Sequence, residues 1–175
     1  MFRNPGVVAV LVLVALPLGS ACGQSFLGKN GAEWEQALKR GKDARSRRNA
    51  AFALGKLGKD GAAAAATLKN CLQQDGDATV REAAAFALGE IGRQSLRVLD
   101  DPDVVDVLAK ALKDSDPLVR RSAACALGSF GASAKSAQAA LEAALGDASA
   151  LVRQNVAWAL GRVGPETVPS FRQAL

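Results

Sequence analysis

One phrase occurs four times in this chain. Arg47–Gly58 reads RRNAAFALGKLG, Val80–Gly92 reads VREAAAFALGEIG, Val119–Gly131 reads VRRSAACALGSFG and Val152–Gly164 reads VRQNVAWALGRVG. Its first glycine falls at Gly55, Gly89, Gly128 and Gly161, in steps of 34, 39 and 33 residues. A helical segment copied at such a period marks a stacked array, in which no unit can bury its apolar face alone. Each step is long enough for two helices and their turns. The expected fold is therefore all-α, a solenoid of four helix pairs followed by a terminal helix.

The copies share their local signals. Asp43, Asp77, Asp116 and Ser149 each stand four residues before an arginine, namely Arg47, Arg81, Arg120 and Arg153. Asp and Ser side chains accept hydrogen bonds from the orphan amides of a helix start, so these four read as N-caps. Pro117 suits the first helical position after Asp116. Val80, Ala84, Ala87, Leu88 and Ile91 recur at helical spacing and define a buried face. Gly58, Gly92, Gly131 and Gly164 end the copies and are expected as left-handed closing residues. Gly89 and its equivalents are interior, where glycine costs about 1 kcal/mol relative to alanine. Four in one column predict direct backbone contact with a neighbouring helix.

Between the copies lie helices of a second kind: Ala32–Arg40, Ala62–Gln73, Pro102–Lys113 and Ser136–Leu145, with leucines at matching places such as Leu68 and Leu72 or Leu108 and Leu112. The order is thus A helix, turn, B helix, repeated. The longer middle step places an insertion at about Arg93–Asp100.

The run Asp77-Ala-Thr-Val-Arg81-Glu-Ala83-Ala84-Ala-Phe-Ala87-Leu88-Gly89-Glu-Ile91-Gly92 resembles the HEAT repeat, in the short variety named for phycobilin lyases. The resemblance implies a right-handed superhelix with B helices on its inner wall. It also implies an inter-repeat hydrogen-bond ladder made by Asp43, Arg47, Asp77, Arg81, Asp116, Arg120 and Arg153. Departures are Asn49 and Asn155 at a usual alanine position, and Ser149 in place of the aspartate. Gly164–Leu175 resembles the first helix of a fifth repeat, with Phe171 and Leu175 at leucine positions, and reads either as a cap or as an association surface.

Ahead of the array, Arg3 precedes the apolar run Val7–Leu18, and Gly19, Ser20 and Ala21 lead to Cys22. A basic start, a short apolar segment and a small-residue exit describe a secretory signal, residues 1–21. Leu18-Gly19-Ser20-Ala21-Cys22 also resembles the bacterial lipoprotein box, which implies acylation of Cys22 and a place on an envelope membrane. Ordinary cleavage with secretion and an uncleaved anchor are the alternatives. Residues 22–31 read as a tether, in which Phe26 and Leu27 could fold back over the first helix. The array then occupies 32–175, with repeats at about 32–58, 59–92, 93–131 and 132–164 and a partial one at 165–175.

Composition narrows the function. The chain has no histidine and no tyrosine, which removes the usual general base and the commonest metal ligand. No catalytic constellation, cofactor motif or metal-ligand set stands out, and an iron site of the His-Glu kind known in related repeat enzymes has no histidine to use. The formal charge of +5 is spread along the chain without a dense basic run, so nucleic acid is not indicated as a partner. Cys71 sits where other copies hold alanine and reads as a buried small residue.

What remains is surface. Residues four apart on a helix share a face. On the B helices these form three columns: Arg48, Glu82, Arg121 and Gln154; Phe52, Phe86, Cys125 and Trp158; Lys56, Glu90 and Arg162 around Ser129. Large apolar groups among mixed charges suit a protein-binding groove. The alternative is that the aromatics fill space between alanine-rich helices. The function expected is a non-catalytic interaction scaffold for another protein, exported and lipid-anchored. A chromophore-lyase-like accessory enzyme and a piece of a larger scaffold are the other readings.

Overall fold

The computed structural model describes residues 25–95, 98 and 101–164. The signal at 1–21, the acylation site Cys22 and the partial repeat at 165–175 lie outside the described residues. So does most of the insertion after Ser95.

The described chain is a succession of helix pairs. The A helices are α1 (Gly31–Arg40), α3 (Ala65–Gln74), α5 (Pro102–Ala111) and α7 (Gln138–Ala144). The B helices are α2 (Ala44–Lys56), α4 (Ala78–Gln94), α6 (Pro117–Phe130) and α8 (Ala150–Val163). Two 3₁₀ segments, Gly58–Ala64 and Gly131–Ala137, lead into α3 and α7. These helices start later than the sequence suggests, because Ala64 and Ala137 offer no side-chain cap and the chain enters them through the tighter turn.

The other starts are set by side chains. Asp43 accepts the Ser46 amide at 2.8 Å, Asp77 that of Thr79 at 2.8 Å and Asp116 that of Leu118 at 2.8 Å. Ser149 is the N-cap of α8 by position but makes no side-chain capping bond. Two of the expected left-handed glycines are found, Gly58 at φ 55° and Gly131 at φ 56°. The other two differ. Gly92 lies inside α4, which runs on to Gln94, with the Phe130 ring packed against it. Gly164 has extended backbone at φ −171°.

The interior is the predicted one. Val80, Ala84, Ala87, Leu88 and Ile91 are all inaccessible to solvent, as are Leu68, Leu108 and Leu141 on the A helices. Successive B helices pack along their length, whereas successive A helices touch at a few positions. The cause is the glycine column. A Cβ added to Gly55 would stand 2.9 Å from Ala87 Cα, and one on Gly89 would stand 2.9 Å from Ala126 Cβ and 3.0 Å from its Cα. At Gly128 it would collide with the Trp158 ring and approach Ala159 Cα at 2.9 Å. The B layer is therefore the tighter one.

A polar ladder fixes the flank of this stack, with partners other than those the resemblance implies. Arg47 donates from Nε and Nη2 to Asp75 at 2.7 and 2.9 Å, Arg81 to Asp114 at 2.8 and 2.9 Å, and Arg120 to Asp147 at 2.6 and 2.9 Å. The acceptor is thus the aspartate two residues before the next cap. Asp43, Asp77 and Asp116 are occupied with helix amides and do not reach the arginines' forked ends. Each arginine also holds its own turn through Nη1, bonding the carbonyl six residues back at Gly41, Asp75, Asp114 or Asp147. Arg153 makes this second contact and pairs with no carboxylate among the described residues.

The entry to α1 is closed by a capping box, in which Asn30 Oδ1 accepts the Glu33 amide at 3.0 Å and Glu33 accepts the Asn30 amide at 2.8 Å, and by the turn before it, where Phe26 is half-buried. Phe26 and Lys29 form a bridge, and the Trp34 indole donates to the Phe26 carbonyl at 3.0 Å. Leu27 projects into solvent, 78% exposed.

Two expectations follow. Overpacking costs about 1–3 kcal/mol, so Gly89→Val should lower the melting temperature by roughly 4–10 °C. Gly161→Ala, in the same column but with no neighbour within 4 Å among the described residues, should leave it equal or slightly higher; scanning calorimetry of the two variants checks both. The second concerns acid. The Arg47 guanidinium holds Asp75 below the usual carboxylate range, and Arg120 does the same for Asp147. Burial pulls the Asp114 carboxyl upward, but Arg81 and the Asp116 amide outweigh it and leave a net lowering. Carboxyls depressed in the folded chain stabilise it above their unfolded value near 4, and that contribution is lost as pH falls through the native values. Urea midpoints should hold from pH 7 to about 5 and fall below about 4. Arg81→Ala should lower stability at pH 7 by about 2 kcal/mol and flatten the acid decline.

Candidate functional site

The side of the B layer turned away from the A helices carries the predicted columns. Their geometry follows from the glycines. Because α2, α4, α6 and α8 approach so closely at Gly55 and Gly128, the rings on this side lie over those contacts rather than within them. Phe86 rests over Gly55, with Cε1 3.3 Å from where that residue's Cβ would be, and Trp158 covers Gly128 in the same way. These rings fill space and line the surface together.

Arg48, Phe52, Glu82, Phe86 and Arg121 come together around one groove of about 480 Å³ between α2, α4 and α6. Phe52 and Phe86 stack with centroids 5.3 Å apart and planes inclined by 13°. Lys56 Nζ stands over both rings, at 5.0 and 5.4 Å from their centroids. Glu82 bridges to Arg121 of the next repeat at 3.1 Å.

A second, shallower groove of about 440 Å³ continues along α4, α6 and α8, bordered by Glu90, Cys125, Leu151 and Asn155. Glu90 is paired with Arg93 at 3.1 Å. Cys125 Sγ donates to Asn155 Oδ1 at 2.8 Å, and burial pushes its thiol up, away from the reactive thiolate. Beyond it, Arg162 stands 5.4 Å over the Trp158 ring and donates from Nε to the Gly128 carbonyl at 2.9 Å. Gln154 is exposed at the rim.

Sequence reasoning missed part of this face. Leu118 and Leu151 occupy the second residue of α6 and α8, one turn before the Arg121 column, and are 44% and 54% exposed. The equivalent residues, Arg45 and Thr79, are polar, and that contrast was the available signal. Asn49 and Ser122 line the first groove and Asn155 the second. The two asparagines are the departures from the repeat pattern, so the irregular positions are surface positions.

On the A side, Cys71 is half-buried rather than buried, and its thiol is pushed up by burial. Asp101 caps α5 through the Asp103 amide at 3.0 Å and meets Lys69 at 2.6 Å.

Comparisons with known proteins agree with this architecture. A search of curated proteins returns no match. An engineered protein from a structural genomics programme superposes with a TM-score of 0.61 at 23% identity, covering 81% of this chain and 68% of that one. A designed armadillo repeat protein in complex with the peptide (KR)4 gives 0.64 at 19% identity, covering 81% and 69%. An archaeal HEAT-like repeats protein from Thermococcus onnurineus NA1 gives 0.53 at 22% identity, covering 78% of this chain and 53% of its own length. These likenesses show the fold. The family model for HEAT repeats matches residues 31–100 and again 94–161, and with the helix pairs and the glycine column in place, the chain belongs to the HEAT-repeat family.

Proposed function

We propose that the protein is a non-catalytic binding module that holds another protein along the inner face of its array, and that it is exported and tethered to an envelope membrane through an acylated Cys22. One observation carries the binding role. Of the five exposed large apolar residues among the described residues, Leu27, Phe52, Leu118, Leu151 and Trp158, all but Leu27 lie on that face. Apolar groups exposed together on one surface mark an interaction site more often than scattered ones do. Aromatic anchors beside arginine are the usual composition of a binding centre.

The tether rests on the sequence of residues 1–22 alone. The repeat steps of 34, 39 and 33 residues favour the short phycobilin-lyase type as the finer family assignment. The open grooves and the absence of histidine favour a scaffold over a lyase.

A photo-crosslinking residue placed at Lys56 should yield an adduct with a defined envelope protein, and the same residue at Lys113 on the A side should not. Phe52→Ala with Trp158→Ala should keep the helical circular dichroism and lose the adduct. Loss of helix in that variant would make the rings structural only. Cys22→Ala should move the protein from the membrane fraction to the soluble one, and retention would remove the lipid from the reading.

A further inference from the structure

If the inner face is a protein-binding surface, as proposed above, its charge decides what kind of segment it takes. Both of its carboxylates are already neutralised, Glu82 by Arg121 and Glu90 by Arg93. Three cations are left without a carboxylate among the described residues. Arg48 has one long contact, to Asn49 Oδ1 at 3.4 Å. Lys56 and Arg162 rest on ring faces. So each end of the face pairs an exposed ring with an uncompensated positive charge: Phe52 with Lys56, and Trp158 with Arg162. A basic segment laid here would meet repulsion at both ends, whereas a carboxylate would find an open partner at each.

Lys56 and Arg162 hold the same place in the first and fourth copies, three helix steps apart. Packed helices lie about 8–10 Å apart, so the two cations are separated by roughly 24–30 Å. An extended chain advances about 3.3 Å per residue and would cover that distance in about eight residues. Its alternate side chains point the same way, which allows several to lie on the rings between the charged ends.

We infer that the inner face takes an extended acidic segment of a partner protein. Two carboxylates about eight residues apart pair with Lys56 and Arg162, and apolar side chains between them cover the Phe52–Phe86 stack and Trp158. Arg48 adds a third positive charge beside the first groove. The occupant is opposite in sign to the (KR)4 peptide of the designed armadillo neighbour.

The test uses fluorescein-labelled peptides and anisotropy. The first carries paired glutamates about eight residues apart around alternating leucine and serine. A second has lysines in place of the glutamates, and a third brings the glutamates to half that spacing. The first should bind with an affinity that falls as salt rises, and the lysine peptide should be weaker by roughly tenfold. The shortened peptide should be intermediate. Lys56→Glu and Arg162→Glu should each weaken the acidic peptide and strengthen the basic one, and Lys56→Glu should do so at an unchanged melting temperature. Equal or tighter binding of the lysine peptide, no binding of the acidic peptide at millimolar concentration, or indifference to both charge reversals would overturn the inference. If the lysine peptide binds and Phe52→Ala with Trp158→Ala abolishes it, the binding face stands and the acidic occupant falls. The crosslinking comparison of Lys56 with Lys113 judges the face itself, independently of any peptide.

Discussion

Backbone-to-backbone contact between successive B helices is the constraint on which the rest depends. Gly55 lies against Ala87 and Gly89 against Ala126 because neither pair leaves room for one more carbon. An interior glycine is a poor helix former, and its loss of propensity is offset by the packing that close approach allows. The high alanine content has the same origin. Small residues give little burial each, so stability is collective, and the leucines of the A helices supply the ordinary apolar core that anchors each pair.

The same contact shapes the proposed binding face. With the B layer drawn together, Phe52, Phe86 and Trp158 stand on its outer side, whereas Phe130 packs inward against Gly92. Phe86 is half-buried over Gly55, while Phe52 and Trp158 remain 43% and 47% exposed. Filling and presenting are therefore one arrangement seen from two sides. The charged residues of the face sort by whether they have a counter-charge. Glu82 and Arg121 join neighbouring repeats, whereas Arg48, Lys56 and Arg162 keep their charge facing out.

The architecture was legible because its determinants are local and repeated. Four copies of one phrase, caps in register and a glycine column leave few alternatives, and the buried positions of α4 agree residue by residue. The ladder was only half legible. Arg47, Arg81 and Arg120 were identifiable from their spacing, but the cap aspartates drew attention away from Asp75, Asp114 and Asp147, which differ from them by two residues and by which repeat they serve. Helix ends failed where context changed: Gly92 looks like its equivalents, yet α4 runs on past it to Gln94. Leu118 and Leu151 escaped notice because apolar residues at helix starts resemble core until the neighbouring helices are placed.

Gly41 occupies the position that Asp75, Asp114 and Asp147 hold in later repeats, and no B helix among the described residues comes before it to present an arginine there. Each internal unit consequently has a donor on one side and a receptor on the other, like a coupling with a plug and a socket. Such a unit, duplicated within the gene, would arrive with both fittings and join the row without compensating change elsewhere. Growth of the array by tandem duplication is thus built into the chemistry of its joints.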